Sequence, residues 1–134
     1  MASVSVRYIV DDVDEAIAFY RDRLDFELVM HPAAAFAMLV RGELRLLLSA
    51  PSVAPGGGQA PADGPRPAPG GWNRFAIETD DLDATVARLR EAGARFRNEI
   101  VDGVGGRQTL LEDPSGNPIE LFQPTRPEAR LGGA

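Results

Sequence analysis

Between residues 4 and 10 apolar and polar side chains alternate. Val4, Val6, Tyr8 and Val10 fall on one face and Ser5, Arg7 and Ile9 on the other, which is the period-2 pattern of a half-buried strand. Asp12 then stands at a helix N-cap with Glu15 three positions on, and Val13, Ala16, Ile17, Tyr20 and Leu24 recur at helical spacing. Three short apolar stretches follow, at 26–31, 36–41 and 44–49, separated by Pro32 with its alanines and by Arg41-Gly42-Glu43. They predict a meander of three strands.

Residues 51–71 break this pattern, being dominated by Pro, Gly and Ala with no apolar period. The segment is expected to be a linker or a flap without regular structure. The first pattern then returns. Phe75, Ile77 and Thr79 alternate with Arg74, Ala76 and Glu78; Asp81 caps a helix carrying Leu82, Val86 and Leu89, which Gly93 closes. Strands are predicted at 94–101, 107–112 and 118–123. Val10-Asp11-Asp12-Val13-Asp14 overlays Thr79-Asp80-Asp81-Leu82-Asp83, so the chain reads as two βαβββ modules in tandem. The last strand is entered through Asp113-Pro114-Ser115-Gly116-Asn117. There Pro114 presets φ, Gly116 tolerates a positive φ, and Asp113 and Asn117 are able to bond their own backbone. Alternation places Ile119 and Leu121 on one face of that strand and Pro118, Glu120 and Phe122 on the other.

The expected organisation is one domain over 1–134: a first module at 1–50, the linker at 51–71, a second module at 72–124 and a tail at 125–134. Each module is about fifty residues, too small to bury a core comfortably alone, so the modules are expected to pack together or with those of a second chain.

Composition narrows the chemistry. The absence of Cys removes disulfides, thiolate ligands and a cysteine nucleophile, and the single His, His31, excludes a two-His metal site within one chain. A net charge of −6 argues against a nucleic-acid backbone as partner. No apolar run reaches membrane-spanning length and no signal pattern opens the chain, so a cytoplasmic location is expected.

The paired modules, the Val/Thr-x-Asp-Val/Leu-Asp turns and the ending Asp113-Pro114-Ser115-Gly116-Asn117-Pro118-Ile119-Glu120-Leu121 resemble the vicinal oxygen chelate superfamily. This group holds glyoxalase I, extradiol dioxygenases, and bleomycin-resistance and other antibiotic-binding proteins. The resemblance covers nearly the whole chain apart from the linker and the last dozen residues. It implies an α+β fold in which two βαβββ modules form a curved mixed sheet around a cleft, and it implies a homodimer, with the cleft within one chain or shared by two.

In metal-dependent members the first and last strand of each module each carry one ligand. The resemblance puts these positions at Ser5, Leu47 (Leu46 by a second alignment), Arg74 and Glu120. Only Glu120 is a competent ligand, and Arg74 brings a fixed positive charge to where a cation would sit. No metal or other cofactor is therefore expected. Arg74 and Glu120 either pair with each other or act on a ligand, Arg74 anchoring a carboxylate, phenolate or enolate while Glu120 orients it or serves as base. Arg7, Arg45 and Glu78 share the site face by parity, and Trp72 beside Asn73 is placed either to stack on a planar ligand or to close the seam between modules. Phe36, Met38 and Phe122 are candidates for an apolar wall, His31 for a proton carrier and Gln108 for a neutral hydrogen bond. The expected function is metal-independent binding of a small molecule, of the antibiotic-binding or resistance type, with no nucleic-acid or membrane partner. The alternatives are a metal-free lyase or isomerase in the same cleft, a metal-dependent glyoxalase or dioxygenase, and a vestigial cleft.

Overall fold

The computed structural model of the chain describes residues 4–52 and 55–130. Residues 1–3 of the expected first module, 53–54 of the linker and 131–134 of the tail lie outside the described residues. The chain divides into two compact units, Met1–Gly70 with Pro114–Asn117 and Gly71–Asp113 with Pro118–Ala134.

The first unit contains β1 (Ser5–Ile9), α1 (Val13–Leu24), β2 (Glu27–Ala33), β3 (Phe36–Arg41) and β4 (Leu44–Ser49). Its four strands run in the order β1-β4-β3-β2, with β1 parallel to β4 and the other pairs antiparallel. Asp12 caps α1, its Oδ1 accepting from the Glu15 N–H at 3.0 Å, and Val13, Ala16, Ile17, Tyr20 and Leu24 are all buried. They cover Tyr8, Ala37, Leu39, Leu46 and Leu48, which are buried on the facing side of the sheet. The helix ends at Asp25 in the left-handed region, φ 60°. The Arg41 Nε–H then satisfies the Leu24 carbonyl at 2.9 Å.

One boundary departs from expectation. The predicted strand at 26–31 was to stop before Pro32, but β2 continues through it to Ala33. β2 is an edge strand, so a proline lacking an N–H need not interrupt a ladder on its open side. Its register with β3 shifts twice, between Leu28 and Met30 and between Met30 and Ala33.

The turn Pro114–Asn117 is bonded into this unit. Gly116 has φ 89°, as its turn position requires. The Ser115 Oγ accepts from the Asp11 N–H at 2.8 Å. Asn117, buried to 4% exposure, donates from Nδ2 to the Ile9 carbonyl at 2.7 Å and accepts from the Gly70 N–H at 2.8 Å.

The second unit contains β5 (Ala76–Glu78), α2 (Leu82–Glu91), β6 (Arg95–Phe96), β7 (Val101–Asp102), β8 (Gly106–Glu112), β9 (Pro118–Pro124) and a 3₁₀ turn at Pro127–Ala129. The order β5-β9-β8-β6 repeats that of the first unit, with β5 parallel to β9 and β7 also paired to β8. Leu82, Val86 and Leu89 of α2 are buried with Ile77, Leu111, Ile119 and Leu121 of the sheet. The predicted strand at 94–101 is instead two short strands. Between them the Asn98 Oδ1 accepts from the Leu110 N–H and the Thr109 hydroxyl, both at 2.9 Å, taking the place of a ladder carbonyl. Together the units form an α+β fold with one four-stranded and one five-stranded mixed sheet. No helix among the described residues is long and apolar enough to cross a membrane.

Candidate functional site

Because side chains alternate along a strand, each sheet has a face turned away from its helix. In the first unit the register sets three rows across that face: Ser5, Arg45 and Val40; Arg7, Leu47 and Met38; and Ile9, Ser49 and Phe36. Leu47 is half-buried here, whereas Leu46 is fully buried on the opposite side beneath α1. Ser5 and Arg7 are exposed and Arg45 is half-buried. Among the described residues neither the Arg7 nor the Arg45 guanidinium has a hydrogen-bond or ion-pair partner.

At one end of this face lies a cavity of about 410 Å³. Arg7, Phe36 and Ser49 line it together with Ala33, Ala35 and the backbone of Pro55–Gly58. The glycines here answer a steric demand: a Cβ on Gly57 would collide with the Arg7 guanidinium, and one on Gly58 with the Ala50 carbonyl. Gly58 also accepts at its carbonyl from the Ser52 N–H at 3.0 Å, which folds the expected linker back on itself. Sequence reasoning named Arg7 but not Ser49, Gly57 or Gly58. The alternation of β4 put Ser49 on the Leu47 face, but no local signal told where the glycines would fold.

In the second unit Arg74 donates to Glu120 Oε1 from Nε at 3.1 Å and from Nη2 at 3.0 Å, and from Nη1 to the Trp72 carbonyl at 3.3 Å. Glu120 pairs in register with Ala76 and Leu110, and Phe122 with Glu78 and Gln108, so these side chains share the face away from α2. Glu78 is 3.9 Å from Arg130 of the expected tail. Trp72 is 69% exposed, and Arg97 lies over its ring at 4.8 Å while also bonding Gly71 O and Glu112. His31, on β2 of the first unit, has its Nε2 3.7 Å from Asp14. Away from this face, Arg107 donates two hydrogen bonds to Asp83 at the start of α2 and holds that carboxyl below its ordinary range.

The four positions that the resemblance assigns to metal ligands do not suit a metal here. They supply a hydroxyl (Ser5), an alkyl group (Leu47), a guanidinium (Arg74) and one carboxylate (Glu120) that already accepts two N–H bonds. A divalent ion requires several oxygen, nitrogen or thiolate donors and is repelled by a fixed cation. Among the described residues no group of three or more His, Cys, Asp or Glu is arranged to hold one.

Two related units, a βαβββ unit and one in which the second strand is replaced by two short ones, each with its first strand parallel to its last and an open face beside the helix-covered one, define a protein of the vicinal oxygen chelate class. The family model of the Glyoxalase/Bleomycin resistance protein/Dioxygenase superfamily matches residues 3–121, and the chain belongs to that superfamily. Among solved structures it is similar to a superfamily member from Sphaerobacter thermophilus DSM 20745, with 28% identity, TM-score 0.73 and 92% of this chain and 97% of that one covered. It is similar to a lactoylglutathione lyase from Agrobacterium tumefaciens at 26% identity and TM-score 0.70, covering 91% and 92%. It is similar too to TnmS3, an antibiotic-binding protein from Streptomyces sp. CB03234, at 26% identity and TM-score 0.68, covering 93% and 97%. None of the curated proteins matches it.

Proposed function

We propose that this chain is a metal-independent small-molecule-binding protein of the antibiotic-binding type. The observation that carries the reading is the engagement of Glu120 by Arg74 through two N–H bonds, at the positions where metal-dependent relatives hold an ion. A chelating centre built there would first have to break that pair and then accommodate the cation. The open face of the first unit's sheet keeps Arg7 and Arg45, unpaired among the described residues, beside half-buried apolar side chains, a combination suited to holding an organic molecule. The similarity to TnmS3 supports this reading, and the similarity to the lactoylglutathione lyase supports the enzymatic alternative. A homodimer belongs to the proposal: β2 has an open edge, and its Leu28, Val29 and Met30 are exposed. Sedimentation velocity reads the oligomeric state.

The deciding experiment is a thermal-shift and calorimetric screen of chelator-treated protein against a panel of planar small molecules, with divalent metals run separately. Anything that binds only the folded state raises the midpoint. The expected result is saturable binding of an organic compound, recovered unchanged, without metal. Stoichiometric metal in the purified protein, or binding seen only after metal is added, would overturn the reading. Conversion of the bound compound to product would move the assignment to the metal-free enzyme.

A further inference from the structure

We infer that the cavity beneath Gly57 in the first unit is a site for an aromatic carboxylate, with Arg7 holding the carboxylate, the Ser49 hydroxyl bonding one of its oxygens and Phe36 packing on the ring. The inference rests on the reading of the chain as a metal-independent binding protein and names its ligand class.

Three independent observations converge on this cavity. The Arg7 guanidinium, on an exposed residue, lines the cavity and has no hydrogen-bond or ion-pair partner among the described residues. A guanidinium is charged at every relevant pH, and its planar fork matches a carboxylate with two parallel N–H bonds. The Ser49 hydroxyl is the second. Ser49 is only 2% exposed and its Oγ has no hydrogen-bond partner among the described residues, whereas its backbone carbonyl bonds the Val10 N–H at 3.0 Å. Buried hydroxyls are nearly always paired, so an unpaired one lining a cavity points to a partner that arrives from outside. The third is Gly57, where the backbone passes so close to the Arg7 guanidinium that any side chain would displace it.

The remaining lining decides what kind of anion fits. Phe36, Ala33, Ala35 and Pro55 are apolar, and the volume of about 410 Å³ suits a molecule of one or two rings. With one cation and one hydroxyl, the site balances a single negative charge. A phosphate dianion would leave charge uncompensated. Phe36 offers a ring face to an aromatic body. The net charge of −6 opposes anions in general, which makes the recognition depend on Arg7.

The test uses 2-naphthoate with chelator-treated full-length protein, followed by calorimetry and by amide NMR shifts, with 2-naphthamide and phenyl phosphate as controls. Saturable binding is expected, with shifts centred on Phe36, Ser49 and Gly57, and naphthoate preferred over both controls. Arg7→Ala should weaken it about 100-fold, two charge-assisted bonds being lost, and Ser49→Ala about 5- to 10-fold. Ser49→Ala also removes an unpaired buried hydroxyl, so its melting temperature should hold or rise, which separates lost binding from lost folding. Gly57→Ala should weaken naphthoate while leaving the amide spectrum of α1 unchanged. Absence of naphthoate shifts at these residues, or equal affinity in Arg7→Ala, overturns the inference. If the compound panel still yields a metal-free ligand under those conditions, the binding-protein reading survives and only this site assignment fails.

Discussion

Glu120 directs a single oxygen, Oε1, at both the Nε–H and an Nη2–H of Arg74, at 3.1 and 3.0 Å. With side-chain exposures of 28% and 17%, the two charges are neither screened by bulk water nor fully desolvated. Leaving either one alone should therefore cost more than removing both. Arg74→Met and Glu120→Leu are each expected to lower stability by about 1–2 kcal/mol. The double variant should lose clearly less than the sum, which a double-mutant cycle in urea measures. Strict additivity would show that the two side chains do not act as a pair.

Asn117 is expected to be among the least replaceable polar residues of the first unit. Its amide donates to Ile9 at the end of β1 and accepts from Gly70, tying two segments far apart in sequence to one buried side chain. Asn117→Ala leaves a carbonyl and an N–H without their partner and should cost about 2–3 kcal/mol. Asn117→Asp keeps the acceptor but loses the donor, so it should not restore stability. A denaturant midpoint within error of wild type for either variant would contradict this role.

The Asn98 side chain holds β8 where the expected strand is interrupted. Asn98→Ala should cost about 1–2 kcal/mol. The specific readout is hydrogen exchange at the Leu110 amide, which bonds the Asn98 Oδ1. That amide should exchange faster in the variant than its neighbours on β8; a uniform change along the strand would indicate general destabilisation instead.

Asp83 supplies a pH dependence with a defined sign. The hydrogen bonds from Arg107 lower the Asp83 pKa beneath the ordinary 3.8, outweighing an opposing desolvation, and the charge of Arg107 adds to the lowering. The folded state therefore takes up its proton at a lower pH than the unfolded chain does. The stabilisation is complete above the ordinary value and disappears as pH falls through the lower folded one. A carboxyl NMR titration of wild type and Arg107→Ala tests this. The Asp83 midpoint should move upward in the variant, and an unmoved midpoint would refute the attribution.

Much of this protein was legible along the chain. The alternation of Val6, Tyr8, Leu46 and Leu48 against Arg7 and Leu47, the Asp12 and Asp81 caps, and the Gly116 turn are decided by neighbours a few residues away, through the periods of strands and helices and through local hydrogen bonding. The repeat made the βαβββ element order readable twice over, but not the order of strands within each sheet. Parity alone placed Arg7, Arg45 and Leu47 on one face and Glu120 with Phe122 on another. What only the tertiary structure decided is which groups meet. The Pro/Gly-rich segment has no period to indicate its path, so nothing local announced that Gly57 would lie against Arg7 or that the Ser49 hydroxyl would be buried with no partner among the described residues. The chain shows that Asn117 is able to bond its own turn, and only the tertiary structure shows that it reaches Ile9 and Gly70, because a side-chain amide takes whichever backbone group packing brings within reach. For Glu120 the chain leaves both pairing with Arg74 and action on a ligand open, and only the tertiary structure shows Arg74 donating two hydrogen bonds to it.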